Sequence, residues 1–417
     1  MGKKRVVITG MGAITPIGNN LKEYNQSLFN GISGCKPITR FDASKFKTRF
    51  ACELKNYDPL NYFDKKESRK MDAFAQYGLI VAEEALQDSG IDLNKIDKNK
   101  FGVIWGSGVG GIETFQNELI NFSENNKNPR FNPFFIPKLI PDICPGLISI
   151  KYGLKGPNFA TVSACASASN AIIDSFNYIK SGTSDIIITG GSEAAVNETG
   201  VGGFNALKAL SERNDSPETA SRPFDKKRDG FVLGEGGGGL ILENYDHAIK
   251  RNAKIYAEII GFGMSCDAHH ITAPHPDGEG ARLVMNNAIN NANIKKEEVD
   301  YINVHGTSTP LGDKSEIFAI ENVFNEHAYN VNISSTKSMT GHLLGAAGAI
   351  ESIASIISIN EGSVPPTINH FNNDEEFSPK LNLTLNKIQK RDINIAISNT
   401  FGFGGHNTSI IFKKINL

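Results

Sequence analysis

Glycine sets the terms for this chain. It makes up 41 of 417 residues, well above the usual share of about 7%, and it stands repeatedly just behind short β-branched runs. A strand that ends on glycine can turn at once, because a residue without Cβ tolerates crowded or left-handed backbone. The runs Val6-Val7-Ile8-Thr9, Val103-Ile104-Trp105, Ile186-Ile187-Ile188-Thr189, Tyr301-Ile302-Asn303-Val304 and Ile395-Ala396-Ile397-Ser398 alternate with helical stretches at 71–89, 165–181, 281–293 and 342–361. Short, uninterrupted apolar strands between helices predict an α/β fold with strands buried on both faces.

The strands also echo each other. In one half a strand ending Gly10-Met11-Gly12 precedes Trp105-Gly106-Ser107, then Ser163-Ala164-Cys165 before a small-residue helix, then the 186–190 strand. In the other, Gly261-Phe262-Gly263-Met264 precedes His305-Gly306-Thr307, then Ser335-Thr336-Lys337 before a Gly/Ala-rich helix, then the 395–398 strand. The order is kept while the spacing is not: 59 residues run from Gly106 to Cys165 and 31 from Gly306 to Lys337. Two similar α/β halves are expected, 1–254 and 255–417, with their strand-end loops meeting at one cleft. Segment 112–160, with six prolines and Phe131, Phe134, Phe135, Ile136, Leu139 and Ile140, reads as an insertion that covers a core, a channel or a subunit partner.

Charge and cysteine usage narrow the functions. Lys plus Arg is 43 against 45 for Asp plus Glu, so no overall field favours nucleic acid or an anionic membrane. Five scattered cysteines without C-x-x-C argue against a disulfide framework or structural zinc and suit a reducing cytoplasm. Lys3, Lys4 and Arg5 precede an apolar stretch, but glycines and Pro16 break it as a signal peptide, and no run reaches the roughly 18 residues of a membrane span.

Some motifs mislead. Gly106-x-Gly108-x-x-Gly111 follows a strand, yet no acidic partner ends a second strand some 20 residues on, and the glycines serve equally well in a tight turn. Gly234-x-Gly236-x-x-Gly239 leads into a strand. His269, His270 and His275 lack zincin spacing and read as loop residues.

Ser163-Ala164-Cys165-Ala166-Ser167-Ala168-Ser169 places one cysteine between a strand and a helix of small side chains, as a nucleophile elbow requires, and the helix N-terminus is expected to favour a thiolate there. His305-Gly306-Thr307-Ser308-Thr309 follows a buried strand. Ser335-Thr336-Lys337 through Gly341-His342-Leu343 opens the second small-residue helix, and Asn399-Thr400-Phe401-Gly402-Phe403-Gly404-Gly405 lies near the C-terminus. With Ser221-Arg222-Pro223-Phe224-Asp225, these segments resemble the β-ketoacyl synthases, the elongating condensing enzymes that act on acyl carrier protein, over essentially the whole chain.

The resemblance implies a thiolase-like fold of two similar α/β halves, with sheets between helical layers, and a decarboxylative condensation that extends an acyl chain by two carbons. It implies that Cys165 carries the acyl group, that His305 and His342 assist decarboxylation, and that Lys337 orders the site. Backbone N–H groups of Cys165 and Phe403 would form the oxyanion hole. Thr307 and Thr309 would bind the phosphopantetheine arm, which arrives on the carrier protein, so no resident cofactor is expected. Val109, Phe204 and Phe401 would line the acyl pocket, with Phe403 as its gate. Glu351 would be a buried supporting acid, at a structural cation with Asn303, Ser398 and Asn399. The run Lys65, Lys66, Arg69 and Lys70, with Arg130 and Arg213 elsewhere, reads either as a solvated face or as a docking site for an acidic carrier protein. The family also implies a homodimer. A polyketide or aryl-polyene ketosynthase shares this chemistry. A chain-length-factor partner would lack the nucleophile, and a degradative thiolase would need a second cysteine near the C-terminus. His406 stands where relatives usually have threonine.

Overall fold

The computed structural model describes residues 4–415, so Lys3 lies outside the described residues. Lys4 pairs with Asp185 at 3.1 Å, and Arg5 with Glu258. The basic start is thus tied to the domain surface.

Ten strands form one sheet. They are β1 (Val6–Ile14), β2 (Phe101–Gly106), β3 (Asn158–Thr161), β4 (Ile186–Glu193), β5 (Gly236–Asn244), β6 (Ala257–Cys266), β7 (Tyr301–Asn303), β8 (Asn332–Ser334), β9 (Ile395–Gly402) and β10 (His406–Lys413). Their order across the sheet is β8-β7-β9-β10-β6-β1-β5-β4-β2-β3. Counted outward from the centre, both arms read first, fifth, fourth, second, third. The strand directions repeat as well: β1 is antiparallel to β5 and β5 to β4, while β4, β2 and β3 run parallel. In the second arm β6, β10 and β9 are antiparallel neighbours, while β9, β7 and β8 run parallel. Two copies of one topology are joined where Val6, Val7 and Ile8 pair with Ile259, Glu258 and Ala257. The order of motifs survived duplication because strand order defines each arm, whereas loop length is nearly free to change.

Helices fall into equivalent places. Outer helices α1 (Ala73–Ser89) and α5 (Glu279–Ala292) each cover the strands of their own arm. Helices α4 (Ser167–Lys180) and α7 (Ala347–Glu361) pack on each other and on strands of both arms. The small residues seen in both helices allow this close central layer; at Gly106 an added Cβ would lie 2.3 Å from the Ala168 nitrogen. β1 and β5 are buried along their whole length, as a strand with helices on both faces must be.

Segment 112–160 differs from a simple insertion. It forms α2 (Ile112–Glu124) and α3 (Ile143–Tyr152), and its end supplies β3, an edge strand of the sheet itself. Phe131 and Phe134 are each 40% exposed and Ile136 57%, with Phe131 stacked between Phe122 and Phe135 at 5.4 and 5.5 Å. No helix among the described residues is long and apolar enough to cross a membrane.

Candidate active site

Four strand-end loops, one from the first arm and three from the second, converge. Cys165 sits between β3 and α4, on an elbow where Ala164 takes a left-handed φ of 50°. That conformation costs any residue with a Cβ, and a methyl is the smallest penalty short of glycine. Gly402, at the end of β9, presses against the elbow: an added Cβ would stand 2.9 Å from the Ser163 carbonyl oxygen and 3.1 Å from the Cys165 nitrogen. The strand end reaches the nucleophile only because that side chain is absent.

His305 follows β7 and His342 lies between β8 and α7, held by its N–H donating to the Val232 carbonyl at 2.8 Å. His342 Nε2 is 3.0 Å from Cys165 Sγ, and the two imidazole rings stand 5.2 Å apart at 85°. The sulfur and one nitrogen from each ring all lie within 4.8 Å of one another. Nδ1 of both histidines is buried with no hydrogen-bond partner. Burying an N–H there without an acceptor is costly, so the neutral rings keep their proton on Nε2.

Burial and the Lys337 ammonium hold His305 and His342 well below the usual histidine range, so both are neutral at pH 7. The Cys165 thiol is pushed up to about 12 by burial, against the pull of Lys337 and of the Phe403 backbone N–H. This corrects the expectation of a resting thiolate. Helix α4 begins two residues after Cys165, and a helix-dipole effect of roughly 0.3–1 kcal/mol does not offset full burial.

Lys337 and Glu351 form an ion pair between side chains that are 2% and 3% exposed. Glu351 Oε2, Asn303 Oδ1, Ser398 Oγ and Asn399 Oδ1 are buried without hydrogen-bond partners, and Ser398 is the register partner of Asn303. Glu351, Asn303 and Ser398 offer an oxygen donor set that fits a hard cation, whereas the Asn399 side chain, next to Ser398 on the strand, lies on the opposite face, where its amide donates to Glu316 Oε1 at 3.3 Å.

A cavity of about 550 Å³ opens from the sulfur, lined by Val109, Phe204, Phe401 and Phe403 among others. Phe401 lies 5.8 Å from His305 and Phe403 lies 6.5 Å from Phe204, ring to ring. Thr307 and Thr309 also line it, their hydroxyls 3.0 Å apart. His406 is exposed opposite Cys266 on the β10–β6 ladder, outside that lining. Lys65, Lys66, Arg69, Lys70 and Arg130 share one surface cleft beside Phe131 and Phe134. Arg213 lies apart from them, its guanidinium 6.0 Å from the Phe371 ring.

Two buried acids escaped the sequence reading. Glu193, at the end of β4, accepts from the N–H groups of Gly108, Val109, Gly110 and Gly345 at 2.7–3.3 Å and from the Ser107 hydroxyl at 3.1 Å. The glycine loop after β2 therefore wraps a carboxylate of its own chain and not a nucleotide phosphate. In the second arm Glu316, on α6 (Pro310–Phe324), accepts from the N–H groups of His305 and Gly306 at 2.9 and 2.8 Å.

Burial pushes Glu235, Glu316 and Glu351 up to about 7. A raised acid stabilises the fold below its unfolded value near 4.5 and loses that contribution as pH rises through 7. Lowering pH from 7.5 to 6 is expected to stabilise the protein by roughly 1 kcal/mol per such carboxyl, read as a rise in melting temperature. A melting temperature that falls over this window would refute the assignment.

Fold and site define a cysteine acyltransferase built from a duplicated α/β unit. Residues 3–248 match the beta-ketoacyl synthase N-terminal domain and residues 256–371 its C-terminal domain. The chain belongs to the β-ketoacyl synthase family. It is 47% identical over 413 residues to 3-oxoacyl-(acyl-carrier-protein) synthase 2 of Synechocystis sp., covering 99% of this chain and 98% of the relative. The Staphylococcus aureus (strain COL) protein of that name is 48% identical, with the same coverage. Among solved structures, a beta-ketoacyl synthase from Burkholderia phymatum superimposes with a TM-score of 0.92 at 35% identity, covering 99% of this chain and all of that one. A type II polyketide ketosynthase solved with its acyl-carrier protein gives 0.91 at 31%, with the same coverage.

Proposed function

We propose that this synthase elongates fatty acyl chains by two carbons, condensing an acyl group on Cys165 with a malonyl group presented by acyl carrier protein. The observation that carries the reading is one sulfur, two neutral imidazoles and a backbone N–H converging at the mouth of an apolar cavity. The identity of 47–48% to 3-oxoacyl-(acyl-carrier-protein) synthases, against 31% to the polyketide enzyme, favours the fatty-acid role, and the intact nucleophile favours a condensing subunit over a chain-length factor.

In this reading Cys165 attacks the incoming thioester, and its proton leaves with the carrier thiol. Lys337 and the Phe403 N–H ease the charge on sulfur during attack, and the N–H groups of Cys165 and Phe403 hold the tetrahedral oxyanion. The malonyl carboxylate then departs as carbon dioxide, and its electron pair moves onto the thioester as an enolate. Nε2–H groups of His305 and His342 stabilise that oxygen, which neutral rings do without first losing a proton. The enolate carbon attacks the acyl carbonyl, and Cys165 is released and protonated. Thr307 and Thr309 offer hydroxyls to the amides of the pantetheine arm, and the Lys65–Lys70 and Arg130 cleft offers positive charge to an acidic carrier.

The unpaired side-chain oxygens of Asn303, Glu351 and Ser398 would hold a structural cation, with the Asn399 side chain turned away from it. Val162, beside the open edge of β3, is 62% exposed, and with the bare Phe131–Ile136 surface it supports a homodimer. Sedimentation at micromolar concentration is expected to show twice the chain mass of 45.2 kDa, and a monomer would remove that claim. Free cysteines at all five positions suit action in the cytoplasm.

The test is intact-protein mass spectrometry with acyl-carrier proteins of several chain lengths, followed by malonyl-carrier protein. An adduct on Cys165 that leaves two carbons longer is expected; a folded protein that forms none would overturn the reading. Phe403, flanked by glycines at 402 and 404, is positioned to gate the cavity. Phe403→Ala is expected to slow acyl transfer at least tenfold more than malonyl decarboxylation, and equal losses in both rates would count against gating.

A further inference from the structure

Cys165, His305 and His342 are a thiol and two imidazoles with their ligating atoms within 4.8 Å of one another. A tetrahedral zinc ion with bonds of about 2.0–2.3 Å to sulfur and nitrogen needs its ligand atoms about 3.3–3.6 Å apart. The observed His342 Nε2–Cys165 Sγ separation of 3.0 Å brackets that requirement from below, and the 4.8 Å limit brackets it from above. Side-chain rotations of a few tenths of an ångström to about one ångström would close the shell.

We propose that these three side chains form an inhibitory zinc site, with a water molecule from the cavity as fourth ligand. The cavity supplies the entry path, and the ligand set is the soft and intermediate one that zinc prefers to magnesium or calcium. Binding displaces the thiol proton to solvent and leaves a zinc-bound thiolate, with no change in oxidation state. The Lys337 ammonium opposes a second cation here, an effect reduced by its pairing with the Glu351 carboxylate.

The site is suited to reversible inhibition and not to permanent metallation. Ligation through Nε2 moves each ring proton to Nδ1, and resident zinc sites normally supply an acceptor for that second N–H. Here both Nδ1 atoms are buried without one, which lowers affinity below that of a structural zinc site. The other imidazole group, His269 with its ring 4.9 Å from His275, lies on an exposed loop with Glu279 3.9 Å from His275. It offers no thiolate.

The assignment rests on ligand geometry alone and is read without substrate. Cobalt(II) titrated into the full-length protein is expected to give one equivalent of a tetrahedral spectrum with a thiolate-to-cobalt charge-transfer band. Cys165→Ser should weaken that binding by more than about 100-fold and abolish the band. His305→Asn should weaken it as well, while Cys266→Ser, at the only exposed cysteine among the described residues, should leave it unchanged. Zinc should displace cobalt and block alkylation of Cys165, and a chelator should restore it. A band that follows Cys266, a band that survives in Cys165→Ser, or no band at millimolar cobalt would each overturn the proposal. Since a zinc site requires no acyl chemistry, its failure would leave the synthase reading intact.

Discussion

Cys165→Ala is expected to abolish acyl-enzyme formation and to reduce condensation by at least about 10⁴-fold, the scale at which loss of a nucleophile is felt when the rest of the site acts only through it. No mass increase should appear after incubation with an acyl-carrier protein. The change removes one buried sulfur from a pocket of small side chains, so it should cost on the order of 1 kcal/mol of stability, and circular dichroism should show an intact fold. The histidines and the Phe403 N–H remain, and the cavity gains room. Residual decarboxylation of malonyl-carrier protein should therefore survive better than condensation. An acyl adduct that persists on another residue would sink the assignment of Cys165, whatever the loss of turnover.

Cys165, His305 and His342 each stand beside a local mark, but those marks alone leave each open to a core role, and the resemblance of all the segments together singles the three out. The cysteine sits in a run of small residues where a strand meets a helix, and each histidine follows a buried strand at a loop rich in glycine or hydroxyl groups. The repeat was legible for a related reason. Strand order defines the two arms, so Gly106 and Gly306 kept corresponding places despite the unequal distances to Cys165 and Lys337.

Glu193 and Glu316 carried no such mark. An acid at the end of a β-branched strand or within a mixed helix looks ordinary until four backbone N–H groups are found around it. Arg130 looked remote from Lys65, but the turn after α2 brings it to the same cleft, whereas Arg213 stays away. The thiol failed as a predicted thiolate because the helix signal is visible in sequence and the desolvation that outweighs it is not.

Lys337→Met is expected to be the most damaging change outside the nucleophile. Its ammonium and the Glu351 carboxylate are nearly inaccessible to water, and removing one partner of a buried pair leaves a charge that no solvent compensates, at roughly 3–5 kcal/mol. Glu351, already held up near 7 with its partner present, must rise further without it and be neutral over a wider range. The sign of the pH dependence follows: the variant should be most stable in mild acid and lose stability as pH rises through the new carboxyl pKa, more steeply than the parent protein. Activity should fall on the order of 100-fold, because the positive field that adds to burial in keeping both imidazoles neutral and that assists charge on Cys165 is gone. The double variant Lys337→Met/Glu351→Leu separates the two effects. With no buried charge left, melting temperature should recover most of the loss, while turnover should stay low because the positive field is still missing. Recovery of activity together with stability would show that Lys337 acts only as a structural partner of Glu351, and no recovery of either would show that the ion pair is not what the site depends on.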